Sequence, residues 1–250
     1  PATWGISNPD GGITWDRTTA AAKTGVGAME IRNYDYTSTG TVDKFVSSII
    51  SGTASYDSLF VSFDYAYAVG TNPALPDTLE LQITSDCNQT TTTIWKKWGA
   101  DLQTLASGGT GARFVPQASD WGTSKIYLSP IVGNNDFQVN FVAKGNKQNN
   151  LYIDNINIYG KIVPALLKQQ GYLFYPSPFR QQFVIRNYQV PTDLQSAAIY
   201  NSVGQLVWSK QYNGSAYTEM TVDLGAMSPG FYIVKLNYTN KTVVDRIVKL

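Results

Sequence analysis

A chain of 250 residues with 43% hydrophobic but only 15% charged side chains has room for two β-domains whose outer faces are polar rather than charged. A net charge of +1 gives nucleic-acid binding no support, and no apolar run reaches the ~18 residues of a membrane-spanning helix. There is no histidine and only one cysteine, Cys87, which removes Ser-His-Asp and Cys-His catalysis, histidine-ligated zinc and an internal disulfide.

Helical periodicity is almost absent. Residues 18–23 and 163–170 show it, and both stretches are too short to hold a helix unaided. Period-two alternation runs through the chain instead. Val61, Phe63, Tyr65 and Tyr67 share one face, with Ser62, Asp64 and Ala66 on the other. Leu79, Leu81 and Ile83 alternate with Glu80, Gln82 and Thr84, and further on Val139 and Phe141 alternate with Gln138 and Asn140. Turn signals punctuate these runs at Asn8-Pro9-Asp10-Gly11-Gly12, Gly70-Thr71-Asn72-Pro73, Ser107-Gly108-Gly109 and Gly133-Asn134-Asn135-Asp136. Residues 1–160 are therefore predicted to form a jelly-roll β-sandwich. Residues 161–171 read as a linker. Seven short strands, centred on 172–174, 183–187, 196–201, 205–210, 219–223, 230–237 and 241–249, predict a small Ig-like sandwich over 172–250. The expected fold is thus all-β, a jelly roll followed by a seven-stranded sandwich. Charge supports the division: residues 1–160 hold 14 Asp/Glu against 10 Lys/Arg, and residues 161–250 hold 4 against 9.

The last third carries motifs that are weak singly and specific together. Tyr175-Pro176-Ser177-Pro178-Phe179 is stiffened by its prolines. Asn201-Ser202-Val203-Gly204-Gln205 reads as a tight hairpin turn, and Ser228-Pro229-Gly230 as another, with Gly230 free to take φ > 0. Arg246-Ile247-Val248-Lys249-Leu250 closes the sequence. In this order and at this spacing, residues 172–250 resemble the type A C-terminal sorting domain of the type IX secretion system. The resemblance implies recognition by an outer-membrane translocon and its shuttle protein in Bacteroidota, and delivery to the cell surface or the medium. It places the secretion signal on Tyr175, Pro176, Pro178, Gly204, Gln205, Gly230, Tyr232, Arg246, Ile247, Val248, Lys249 and Leu250. Ser177 stands where the family usually has Asn, a small change because Ser also bonds turn backbone. Segment 243–250 is expected to be read directly. It offers apolar Val244, Val248 and Leu250 on one parity and positive Arg246 and Lys249, on a strand able to extend a partner's sheet.

The first part resembles, less specifically, the jelly-roll modules that precede such sorting domains, with an architecture similar to carbohydrate-binding modules and adhesive MAM-like domains. Trp15, the strand 59–67, the segment 77–88, Trp121 and Leu151-Tyr152-Ile153-Asp154-Asn155-Ile156-Asn157-Ile158 carry that likeness. Tyr152, Asp154, Ile156 and Ile158 are expected to share a face. Asp154 then points inward or sits at a bulge, and needs loop amides, a cation or a basic partner. Loop amides are the first expectation for Asp154; the alternative is a structural Ca²⁺, with Asp154, Asp10 and Glu30 as its candidate ligands. Most of the tryptophans are expected in the core. Trp95 and Trp98, flanking Lys96-Lys97, are the candidate exposed platforms for a glycan.

Two carboxylates can hydrolyse glycosides without histidine, but Glu is confined to Glu30, Glu80 and Glu219, and spacing singles out no pair. Asp57-Ser58-Leu59 and Asp77-Thr78-Leu79 resemble the O-glycosylation sites of exported Bacteroidota proteins. The sequence opens at Pro1 without Met or a signal peptide, so the tail of a longer exported protein is expected. The reading that follows is a non-catalytic surface protein, adhesive or glycan-binding. Its alternative is the accessory tail of a secreted hydrolase, such as a metalloprotease, whose catalytic domain lies upstream.

Overall fold

The computed structural model describes residues 4–250. They form two compact units, one reaching to Ile162 and the other Val163–Leu250.

The first unit is a jelly-roll sandwich. Its ten strands are β1 (Gly5–Ser7), β2 (Asp16–Thr18), β3 (Ala28–Ile31), β4 (Thr41–Val46), β5 (Ser58–Tyr67), β6 (Thr78–Thr84), β7 (Thr92–Trp98), β8 (Gly122–Tyr127), β9 (Gln138–Gly145) and β10 (Leu151–Lys161). They pair antiparallel in two sheets, β1-β4-β9-β6-β7 and β2-β3-β10-β5-β8. The alternation in the sequence is what stacks the sheets. Leu79, Leu81, Ile83, Val139 and Phe141 from the first sheet meet Val61, Phe63, Tyr65 and Tyr67 from the second. Each such side chain contributes about 1.5–3 kcal/mol by leaving water. Phe63 joins the sheets directly, lying edge-on to Phe141 at 4.9 Å and to Trp95 at 5.1 Å.

A smaller apolar cluster lies outside the second sheet. The segment between β7 and β8 lays Phe114 and Trp121 over Ala66 and Tyr152, covering one end of that outer face. Asp77 ties the same end together. Its carboxylate accepts hydrogen bonds from the backbone amides of Asn146 at 2.6 Å and Asn149 at 3.0 Å, and from the Tyr67 hydroxyl at 3.2 Å. Asp77 is fully buried, and Thr78 beside it is only 8% exposed. The hydroxyl of Asp77-Thr78-Leu79 is therefore set within strand β6 rather than on an accessible loop.

Residues 161–171, read as a linker, hold the boundary between the units and carry structure of their own. Lys161 is the last residue of β10, and Ala165–Gln170 is a short helix with Leu167 buried. Pro164 starts that helix, and Gly171 ends it at φ 83° with its amide bonded to the Leu167 carbonyl. End signals and one buried leucine suffice where periodicity over so few residues does not. Residues 18–23 contain no helix.

The second unit has seven strands: β11 (Tyr172–Tyr175), β12 (Gln182–Asn187), β13 (Leu194–Asn201), β14 (Leu206–Gln211), β15 (Glu219–Asp223), β16 (Gly230–Tyr238) and β17 (Thr242–Lys249). Sheets β11-β12-β15 and β14-β13-β16-β17 enclose Phe179, Phe183, Ile185, Ile199, Val234 and Leu236. This is the Ig-like sandwich expected, with every strand at its predicted place.

Candidate functional site

In the second unit the three sequence motifs organise the chain end. The β13–β14 hairpin closes through Asn201, whose side-chain oxygen accepts from the amides of Val203 at 3.1 Å and Gln205 at 2.9 Å. Gly204 completes the turn at φ 82°, a conformation that other residues adopt with strain. Tyr232 is buried, and its hydroxyl donates to the Ser228 carbonyl at 2.6 Å, fixing the turn before β16. The register then sets Gly230 against Lys249, Phe231 against Val248 and Tyr232 against Ile247.

The proline motif reaches the same place from the other side. Past Tyr175, Pro176 and Pro178 the chain brings Phe179 beside Lys249 in a parallel bridge. The Phe179 amide donates to the Val248 carbonyl at 3.0 Å, and the Leu250 amide donates to the Phe179 carbonyl at 2.8 Å. Segment 243–250 is thus an edge strand only up to about Ile247. Beyond it the backbone is paired on both sides, which limits strand addition to the earlier part of β17. Its side chains also differ from the expectation. Val243 and Ile247 face the core, while Lys249 is 8% exposed rather than a free surface charge. Val244 stays outward, and Arg246 lies over the Phe231 ring at 4.9 Å.

In the first unit the outer face of the first sheet is the most chemically equipped surface. Its registers form rows across β4, β9, β6 and β7. The first row is Val42, Lys144, Thr78 and Trp98; the second is Lys44, Val142, Glu80 and Lys96; the third is Val46, Asn140, Gln82 and Thr93. Glu80 is the hub. Lys144 lies 2.7 Å and Lys96 3.3 Å from its Oε1, and Gln82 donates to its Oε2 at 2.9 Å. Burial pushes the Glu80 carboxyl up, but these donors outweigh it and hold the group below its ordinary value. In the third row Gln82 Oε1 and Asn140 Oδ1 are both buried and accept no hydrogen bond. Asn140 is fully buried, with its side-chain amide donating to Asn88 Oδ1, so these acceptors lie beneath the surface of the face. Trp98 borders the same face, 46% exposed, with the Lys96 ammonium 5.4 Å from its ring centroid.

Of the two predicted platforms, then, Trp98 is at the surface and Trp95 is not. The two are three residues apart on one strand and so take opposite faces, and Trp95, paired with inward Leu81, turns onto Phe63 and Tyr65. Gln82, Asn140 and Glu80 escaped sequence reasoning because they lie on strands far apart in the chain. The available signal was the polar parity of β6 and β9.

The three predicted metal ligands do not converge. Asp154 accepts from the amides of Lys23 at 2.7 Å, Thr24 at 3.1 Å and Asn155 at 2.7 Å, using both oxygens. Glu30 accepts from the Asn150 side chain at 2.9 Å, and Asp10 from the Gly12 amide at 2.8 Å. Among the described residues no three Asp, Glu, Cys or His side chains gather as a metal set, so these residues do not fit the Ca²⁺ site considered for them. The parity argument fails for a definite reason. A bulge between Asp154 and Asn157, with Asn155 at φ 49°, shifts the register of β10. Before it Leu151 and Ile153 face the core; after it Ile156 and Ile158 do. Asp154 therefore belongs to the outer face. Cys87 is exposed at a turn.

Residues 173–250 match the family described as Secretion system C-terminal sorting domain. This segment carries a type IX sorting signal, and the protein is exported by that system to the cell surface or beyond. No helix among the described residues is long and apolar enough to cross a membrane. No curated protein matches the chain. Among solved structures, the K1 cleaved adhesin domain of Lys-gingipain from Porphyromonas gingivalis W83 is similar at 12% identity and TM-score 0.46, over 64% of this chain and 92% of its own. The family 11 carbohydrate-binding module of a Clostridium thermocellum cellulosomal cellulase is similar at 17% identity and TM-score 0.39, over 65% and 91%. The module TmCBM61, solved with β-1,4-galactotriose, is similar at 10% identity and TM-score 0.41, over 63% and 88%.

Proposed function

We propose that the first unit is a non-catalytic glycan-binding module, delivered to the cell surface by the sorting unit. The observation that carries this reading is the Trp98 ring, 46% exposed on the outer face of the first sheet. It supplies a ring face for a pyranose, and Lys96 and Lys144, both partly exposed, supply donors to sugar oxygens. Flat faces with a few aimed polar groups bind such ligands without reaction.

The carboxylates support a non-catalytic role. Glycoside hydrolysis needs an accessible acid whose pKa is raised. Asp77 and Asp43 are pushed up by burial, but both are fully enclosed. Glu80 faces outward but is held ionised by two lysines.

Affinity electrophoresis of the full chain through gels of neutral plant and bacterial polysaccharides tests the proposal. At least one should retard it, and Trp98→Ala should weaken the retardation about tenfold or more, with Lys96→Ala weakening it as well. Retardation by no polysaccharide, or retardation untouched by both substitutions, would sink the proposal.

A further inference from the structure

The second sheet has an outer face of its own that neither the core nor the first-sheet site uses. Its registers set Tyr159, Phe60 and Tyr127 side by side across β10, β5 and β8. Phe60 lies 5.3 Å from Tyr127 and 5.5 Å from Tyr159, the second pair stacked at 22°. The segment that covers the other end of this face with Phe114 and Trp121 leaves this end open, and Tyr127 is 47% exposed. Two cations attend the rings. Lys125 Nζ stands 4.7 Å and Lys161 Nζ 5.5 Å from the Phe60 centroid.

The next rows along the same strands change character. Asn157, Ser62 and Lys125 come first, and then Asp64 opposite Thr123. There the β10 bulge opens a cleft of about 440 Å³, lined by Ser62, Asp64, Thr123, Asn155 and Asn157 among others. Asp64 forms part of it, accepting hydrogen bonds from the Thr123 hydroxyl and from the Asn155 side-chain amide. Phe60 and Asp64 are four residues apart on one strand, about 13 Å at the usual rise. An aromatic shelf, a lysine and a polar cleft with a carboxylate thus lie in line over the length of a short oligosaccharide.

We infer that this face is a second glycan-binding site, for an oligosaccharide in which an acidic pyranose adjoins a neutral one. The rings stack against pyranose faces. Lys125 and Lys161 pair with the acid group of the sugar over the shelf. Asp64 accepts hydroxyl hydrogen bonds from the next sugar, and its charge excludes a second acid from the cleft. No residue is shared with the first-sheet site, so either site can fail without the other.

The test is isothermal titration of the full chain with hyaluronan tetrasaccharide, which alternates acidic and neutral sugars, and with chitotetraose as the neutral comparator. Wild type should bind the hyaluronan fragment more tightly. Tyr127→Ala and Tyr159→Ala should weaken that binding about tenfold or more, and Trp98→Ala should leave it unchanged. Lys125→Gln, at an exposed position, should remove the preference for the acidic ligand and keep the thermal midpoint, so it remains informative if a tyrosine variant misfolds. Absence of hyaluronan binding by wild type, equal binding of the two ligands, or full affinity in well-folded Tyr127→Ala and Lys125→Gln would overturn the inference.

Discussion

The two units place their functional groups in opposite ways. In the second unit the informative residues sit in turn and proline motifs and along the last strand, and the pairing of β17 with β16 and with the segment after the prolines gathers Phe179, Gly230 and Lys249 at one point. In the first unit they sit on sheet faces, and three strands, β6, β7 and β9, must align before Trp98, Glu80, Gln82 and Asn140 share one. Turn glycines and prolines are signals that short stretches of sequence carry on their own. A ligand face is recognised only after folding, so nothing requires its residues to be near one another in sequence.

The largest effect that sharpens this contrast concerns the chain end. A periplasmic reporter fused to residues 161–250 should leave a type IX-competent cell, and the same fusion without 243–250 should stay behind. The deletion removes β17, bares the edge of β16 and strips Phe179 of both its backbone partners. Extracellular reporter activity reads the outcome. Normal export of the truncated fusion would mean that the signal resides in the remaining six strands, and the contrast between the units would lose its basis. To separate recognition from folding, Val244→Lys with Arg246→Glu changes only outward side chains. This variant should keep the thermal midpoint and still lower export.

Two tryptophans three residues apart give the next test. Trp95→Ala empties a place packed against Phe63 and Tyr65, which should cost about 3 kcal/mol of stability. Trp98→Ala removes a half-exposed ring and should change stability by less than about 0.5 kcal/mol while weakening glycan binding. Denaturant titration of both variants decides it. Equal destabilisation would show that Trp98 is a core residue after all.

These tryptophans also show where sequence reading stops. The seven strands of the second unit were legible, and so were β5, β6, β9 and β10 of the first, because period-two alternation and turn residues are local signals. The convergence of Tyr175–Phe179 with the last strand was not, since a bridge between Phe179 and Lys249 leaves no mark in either segment alone. Trp95 and Trp98, an odd number of positions apart on one strand, could not both face outward, and only the folded pairing shows which of them does; Asp154 sits at the bulge, one of the two places expected for it, and the extra residue there reverses the later side chains of β10. The short helix Ala165–Gln170 was discounted because helix periodicity needs more turns than it has. The acceptors Gln82 and Asn140 look like ordinary polar-face residues until the register pairs them.

Asp154 supplies a smaller effect. Asp154→Ala leaves the amides of Lys23 and Thr24 without their acceptor, which should cost about 1–2 kcal/mol. A chelator should leave the thermal midpoint of wild type unchanged. A fall on chelation, restored by Ca²⁺, would show instead that this carboxylate holds metal and that the loop amides are not its working partners.

The smallest effect is a matter of pH, and its sign separates the ion-paired Glu80 from the two carboxyls raised by burial. The Glu80 carboxyl lies below its unfolded value, so its ion pairs stabilise fully above the unfolded carboxylate range. That stabilisation is lost as pH falls through the folded value. Asp43 and Asp77 behave oppositely: burial raises both, so their contribution is complete below the unfolded value and disappears as pH rises through the folded one. Glu80→Gln should therefore cost about 1 kcal/mol at neutral pH, a modest sum because Lys96 and Lys144 are partly solvated. The deficit against wild type should close as the medium is acidified below the carboxylate range, while the opposite slope from Asp43 and Asp77 persists in both proteins. Urea midpoints of the two proteins from pH 7 to pH 3 measure this difference. A deficit that stays constant over that range would mean that Glu80 acts through packing, and that the lysines beside Trp98 are not held in place by its charge.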